Sequence, residues 1–476
     1  MPSRIPSPLT RETGQAAVFA VILLLAVAVG VGVLYNTGRL TLDKTRLQNT
    51  ADSAVYSGGV LLARSYNFSS YANRAMVANQ VVIAQMVGLR SWSQYYCLAY
   101  NDRCGSQSSA NNLPSQIQNL VSGTFYTAIL DTYAGISKAL YYMNVNSRGI
   151  SAVAPQGADV YFANNANTIN KLLSTASSTF NTGVWAELVA AGINQGLIAD
   201  IIQDNDPQAT ITPYGKILLE ADLAHIKGFT QLYTSNNSQH MQQFATVVKN
   251  GEDGFTQGRS SYEFPTYPMF NYEDIDCASE WTALSASYNG STTWSANYQS
   301  WSAQDKANVY GFNLVPFLDG CVPIPIVATN PWIYAWPTTL SSANASYNAQ
   351  GTGTGFGGDY YAGLLPYEDV SNQYATATAT PTLTLDIARA HGTIKTTQQL
   401  KVDSGVMALP GGEAGGEVNA LASVQVHFVR PRNGNSRLLG NDIEYGALFN
   451  PYWEAHLVAS PSAATLGAQA AQVVVP

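Results

Sequence analysis

Residues Ala16–Leu34 read AAVFAVILLLAVAVGVGVL, nineteen in succession without a charged or strongly polar side chain. A helix of that length spans a hydrocarbon core about 30 Å thick. No second segment of the chain has this character. A cleaved secretory signal has a shorter apolar core followed by a small-residue processing site. Here the core is longer, and YNTGRLTLDKTRLQNTADSAV continues it as amphipathic helix. The segment therefore reads as an uncleaved anchor, with the bulk of the chain on one side of a membrane. Arg4 and Arg11 before the span nearly balance Arg39, Lys44 and Arg46 after it, so charge alone leaves the orientation open. The large downstream region and its cysteines favour an inside amino terminus.

Composition fits export. Charged residues make up 11% of the chain, and 28 tyrosines accompany many Ser, Thr, Asn and Gly residues. A net charge of −8 and the lack of a basic patch argue against a nucleic-acid partner. Cys97 and Cys104 enclose a short loop, and Cys277 and Cys321 flank an aromatic stretch. Two disulfides, 97–104 and 277–321, are the natural pairing in an oxidising compartment, with four reduced thiols as the alternative. There is no CxxC and no His pair close in sequence for zinc.

The apolar span runs on into a candidate rod. Small or apolar residues recur at Leu40, Leu47, Ala51, Ala54, Gly58 and Leu61, near a 3.6 period, with charged and polar residues on other faces. A single helix from Gln15 to Arg64 would be roughly 75 Å long; the alternative is a break near Asn36 to Gly38. Its apolar stripe offers a contact for partners. Ala26, Ala28, Gly30 and Gly32 have the small-residue spacing that permits close helix packing in a membrane. Helical patterns recur at Tyr71 to Trp92, Leu120 to Asn144, Gly157 to Asp204 and Tyr214 to Asn250, so the first half reads as a helical bundle. From Gly251 the texture becomes aromatic and rich in Pro and Gly. Stretches such as TATATPTLTLDIARA and ALASVQVHFVRP read as strands. The expected fold class is α+β. Its expected divisions are a cytoplasmic leader (1–14), a transmembrane helix (15–35), a helical stalk (36–98), a helical region (99–250) and a strand- and loop-rich outer region (251–476).

No catalytic, cofactor-binding or metal-binding motif emerges. The five histidines are scattered and HExxH is absent. His427, on an expected strand, reads as packed or hydrogen-bonded. The glycine-rich run from Gly351 lacks the GK[ST] ending of a phosphate loop, and GxSxG is missing. GEDGF at Gly251 reads as an exposed turn. Glu273, Asp274 and Asp276 form an acidic turn without a visible catalytic partner. The tryptophans after Gly254 suit the core of a sheet better than sugar stacking.

The amino terminus carries something more specific. A short basic leader precedes a Gly-Gln-Ala start to the apolar helix, Gly-Arg lies near its end, and an LQNxADxAxxxGG signature follows. That signature is Leu47, Gln48, Asn49, Ala51, Asp52, Ala54, Gly58 and Gly59. These first 60 or so residues resemble the TadE/TadG-like proteins of tight-adherence (Flp-type) pilus assembly. ARSYNFSSYANRAMVANQVVIAQ and the late EYGALFNPYWEAHL are similar to longer members. The resemblance implies a non-enzymatic, single-pass inner-membrane protein with its carboxy-terminal bulk in the periplasm or at the cell surface. The implied partners are the membrane and other pilus-assembly or pilin proteins, with self-association also in view, and the implied roles are adhesion and biofilm formation. Gly14-Gln15 resembles the cut site of pilin-like relatives, but their fifth mature residue is glutamate and here it is Phe19. The DxSxS metal site of some larger relatives is not found. Two rival readings are a minor pilin-like subunit cleaved after Gly14 and a glycan-binding adhesin or glycan-processing enzyme.

Overall fold

A computed structural model describes residues 13–101, 103–104, 107–108, 131–132, 134–139, 158–190, 196–234, 239–259, 282–295, 298, 300–317, 320–325, 338–350, 363–371, 380–395, 416–429 and 447–474. In chain order the elements begin with α1 (Thr13–Tyr100), β1 (Arg103–Cys104), β2 (Gln107–Ser108) and α2 (Ala158–Trp185), which ends in a π turn, Ala186–Ala190. Next come α3 (Leu197–Asn205), β3 (Thr210–Ile211), α4 (Pro213–Phe229), β4 (Thr230–Tyr233), α5 (Gln239–Asn250) and the single turn α6 (Gly254–Gln257). Strands dominate thereafter: β5 (Thr282–Trp294), β6 (Ser300–Phe317), β7 (Gly320–Pro325), β8 (Thr338–Gln350), β9 (Tyr367–Val370), β10 (Thr382–Ala390), β11 (Glu417–Phe428) and β12 (Trp453–Val458). Helix α7 (Ser462–Val474) is the last element. The α+β character expected from the sequence is what the molecule has, and α1 runs through Asn36 to Gly38 without a break.

The chain forms two compact units, each discontinuous in sequence. One comprises Met1–Ser70, Ser178–Gln231 and Asp369–Pro476; the other comprises Tyr71–Ser177 and Leu232–Glu368. The first half is helical as expected, although most of Leu120 to Asn144 lies outside the described residues. Within each unit, helices from the first half pack on strands from the second, because an isolated amphipathic helix has to cover its apolar stripe with another layer.

In the first unit the antiparallel order is β12-β11-β10-β3. Pairing sets Leu383 against Val424, Leu385 against Ala422 and Ile387 against Ala420. With a side-chain period of two, these residues share one face. Thr384 and Asp386 point to the other, and β10 is buried on both sides. The apolar face joins Leu47, Ala51, Ala54, Val55, Leu62 and Tyr66 of α1 in one core. Burying each such Leu, Ile or Val side chain is worth about 1.5–3 kcal/mol. Helix α4 starts cleanly because Thr212 caps it, accepting from the Gly215 N–H at 2.8 Å, with Pro213 in the first turn.

In the second unit β6 is central. β5 pairs along one side, Thr282 opposite Asn313 through Trp294 opposite Trp301, while β8 and β7 pair with its other side in succession. Helix α5 buries His240, Met241, Phe244, Ala245 and Val248, a spacing of three and four that marks one face.

Candidate functional site

The feature with functional content is the first half of α1. The large side chains of its apolar stretch are uncovered: Phe19 is 71% exposed and Leu24 71%. Nine or more large aliphatic side chains in water would be costly, so this surface requires a non-aqueous neighbour. The helix is long and apolar enough to cross a membrane, with a mean hydropathy of 3.0 over an 18-residue window. Ala26, Ala28 and Gly30 are exposed on it, Gly32 is buried, and a Cβ added at Gly30 would meet nothing within 4 Å. Gly14 and Gln15 lie in its first turn.

Beyond the apolar stretch the same helix changes role. Leu47, Ala51 and Ala54 are fully buried against the sheet of their own unit. The stripe read as a partner surface thus faces inward. Gly59 explains the double glycine: a Cβ there would come within 2.7 Å of Val424 Cγ2 and 2.9 Å of Cγ1. At Gly58 the nearest atom would be Leu383 Cδ1 at 3.2 Å. The helix axis can approach the sheet this closely because both side chains are missing.

Polar side chains fix the register of that contact. Gln48 Nε2 donates to Asp52 Oδ1 and to the Leu421 carbonyl, each at 3.0 Å. Lys44 donates to the Asn419 carbonyl, Arg46 to the Asn205 carbonyl at 2.7 Å, and Arg39 to the Lys395 carbonyl at 3.3 Å. Asn67 donates to the Trp453 carbonyl and accepts from its N–H. Asn49 is exposed and takes no part in the core. Asp43 joins Asp206 around Arg389, at 3.5 and 3.2 Å. Arg389 also donates to Gln208 Oε1, Thr393 Oγ1 and the Thr393 carbonyl, so its donors are consumed. Burial pushes the Lys44 ammonium below its usual range, with Asp386 opposing. Burial raises the Asp386 carboxyl, against a hydrogen bond from Thr212 and the charge of Lys44.

The second unit holds its own buried ion pair. Arg259 and Asp305 are both 0% exposed and bind bidentately, at 2.8 and 2.9 Å. The remaining guanidinium donors go to Thr292 Oγ1, the Ser291 carbonyl and the Phe255 carbonyl, and Tyr288 donates to Asp305. Burial, then the Asp305 charge, raises the Tyr288 phenol far above its usual value. A Cβ at Gly88 would lie 2.8 Å from Arg259 Nη1, so α1 needs glycine there. Every donor in this cluster faces a protein acceptor, which suits a structural tie rather than a reacting group.

Other candidate residues separate cleanly. GEDGF is an exposed turn at Gly251, Asp253 and Gly254, but its Glu252 is only 8% exposed, and Asp253 caps α6 by accepting from the Thr256 N–H at 2.8 Å. Trp301 is buried, stacked on Trp294 with ring centres 4.5 Å apart, and Trp453 is edge-on to Tyr66 and Phe229. These are core aromatics. Cys97 is fully buried and disulfide-bonded. The side chains of Cys104 and Cys321, and all of Cys277, Glu273, Asp274, Asp276, Trp281, Trp332, Trp336 and the Gly351 loop, lie outside the described residues. Among the described residues no group of three or more His, Cys, Asp or Glu is arranged to hold a metal ion. Sequence reasoning missed the Arg259–Asp305 pair, whose members are 46 positions apart. Arg389 did carry a signal, since a lone arginine in the apolar strand TLTLDIARA demands a buried acid.

One helix, long and apolar enough to span a membrane, continues into a sheet-docked segment, an arrangement consistent with single-pass anchoring. Residues 14–64 match the family model described as putative Flp pilus-assembly TadE/G-like, so this amino-terminal stretch is similar to that family. The match begins at the start of α1 and ends within its docked stretch. Neither a curated protein nor a solved structure matches the chain.

Proposed function

We propose that the protein is a membrane-anchored, non-enzymatic component of Flp-type pilus assembly that works through protein contacts in the periplasm. The observation that carries this reading is the union, in one helix, of an uncovered apolar span and a TadE/G-like stretch docked into its own folded unit. Such a helix ties a folded body rigidly to the bilayer, which is what a scaffold for other membrane components needs. The reading takes residues 1–14 as a cytoplasmic leader and Cys97–Cys104 and Cys277–Cys321 as disulfides. It places pilin or pilus-assembly proteins as partners, with adhesion and biofilm formation as the outcome.

The test is genetic. Cells lacking the chain are expected to lose surface Flp pili, and the full-length protein to restore them. A variant with Leu23, Leu24 and Leu25 all changed to Asp is expected not to restore them. Normal piliation in cells lacking the chain would overturn the reading.

A further inference from the structure

We propose that His427 and His456 form a two-nitrogen site for a divalent late transition ion that favours square geometry, with Cu(II) as the best fit. His427 lies on β11 and His456 on β12, in adjacent antiparallel strands. His427 pairs with Glu454, and His456 with Gln425. Cross-strand partners share a face, so His427, Glu454, His456 and Gln425 all project from the same side of the sheet. That side is opposite the one carrying Val424, which abuts Gly59, and Trp453, which fills the core. The pair therefore has no part in docking α1, and His456 is exposed while His427 is half-buried.

The two Nδ1 atoms are 2.6 Å apart, with ring centres at 4.0 Å and planes inclined by 82°. One shared proton holds them there, which requires at least one imidazole to be neutral. A metal ion replaces the shared proton as the bridge, lying to one side of the line between the two nitrogens once the rings turn toward it. The displaced proton moves to Nε2 of the same ring through solvent, both rings stay neutral, and no oxidation state changes.

The separation selects the geometry. Ligand bonds of about 2.0 Å at a right angle put two nitrogens about 2.8 Å apart, whereas a tetrahedral angle puts them about 3.3 Å apart. The observed pair needs a few tenths of an ångström of opening for the first and more than twice that for the second. Tetragonal coordination by imidazole is the habit of Cu(II), and tetrahedral coordination that of zinc. Water fills the remaining positions, and Glu454 stands on the same face with its negative charge. Bound metal would brace β12, the edge strand of its sheet, against β11.

The experiment is titration of the full-length protein in detergent micelles with copper(II) sulfate, using glycine as competitor and electron paramagnetic resonance as readout. The expected result is one saturable equivalent with an axial spectrum showing hyperfine coupling to two imidazole nitrogens. His427→Ala and His456→Ala should each remove one nitrogen and weaken binding at least tenfold. His225→Ala, an exposed histidine on α4, should change neither. No saturable equivalent, or a spectrum that either of the two variants leaves unchanged, would overturn the proposal.

Discussion

At the scale of single residues, Glu252 shows how position overrides composition. The string GEDGF looks like a solvated turn, yet the turn after α5 folds its glutamate inward while Asp253 takes the capping role. Burial, opposed by Lys249 and reinforced by Asp253, pushes the Glu252 pKa up from 4.5 to about 7. The folded state then holds a proton more tightly than the unfolded chain does. Its contribution to stability is full below about pH 4.5 and is lost as pH rises through about 7. Glu252→Gln, which stays neutral, should flatten this fall, and thermal unfolding of the solubilised protein between pH 5 and 8 measures it. Parallel profiles for the two proteins would contradict the assignment. The inward turn was not legible in the sequence because an acidic pair between glycines carries no sign of which carboxylate is capped and which is buried.

At the scale of elements, the glycine pair of α1 was visible in the sequence as a signature, but its cause was not. The cause is Val424, more than 350 positions downstream on β11. Periodicity located the helix and the middle of its stripe, since Leu47, Ala51 and Ala54 are fully buried, while Leu40 and Leu61 are half-buried. It said nothing of what the stripe meets, because hydrophobic spacing is the same whether the covering surface belongs to another chain or to this one. Placing a side chain at Gly59 forces the helix off the sheet, and overpacking of this kind costs about 1–3 kcal/mol. Gly59→Leu should lower the unfolding temperature measurably, while Ser53→Leu, at an exposed position of the same helix, should not. Equal effects of the two would argue that the helix does not dock on β11.

At the scale of the whole molecule, the membrane-length apolar helix and the α+β class were readable because an unbroken apolar run and a shift from helical to strand-like texture survive without tertiary context. The two compact units were not. Each joins segments far apart in sequence, and a composition change near Gly251 carries no information about which strand a helix will cover. The central claim is that the mature protein keeps its apolar helix in the bilayer as a single-pass anchor for pilus assembly. Intact mass combined with fractionation of the native cell tests that claim most directly. The account predicts a full-length chain in the membrane fraction that resists alkaline extraction. A chain beginning at Gln15 and recovered with sheared surface fibres would contradict it and make the protein a filament subunit.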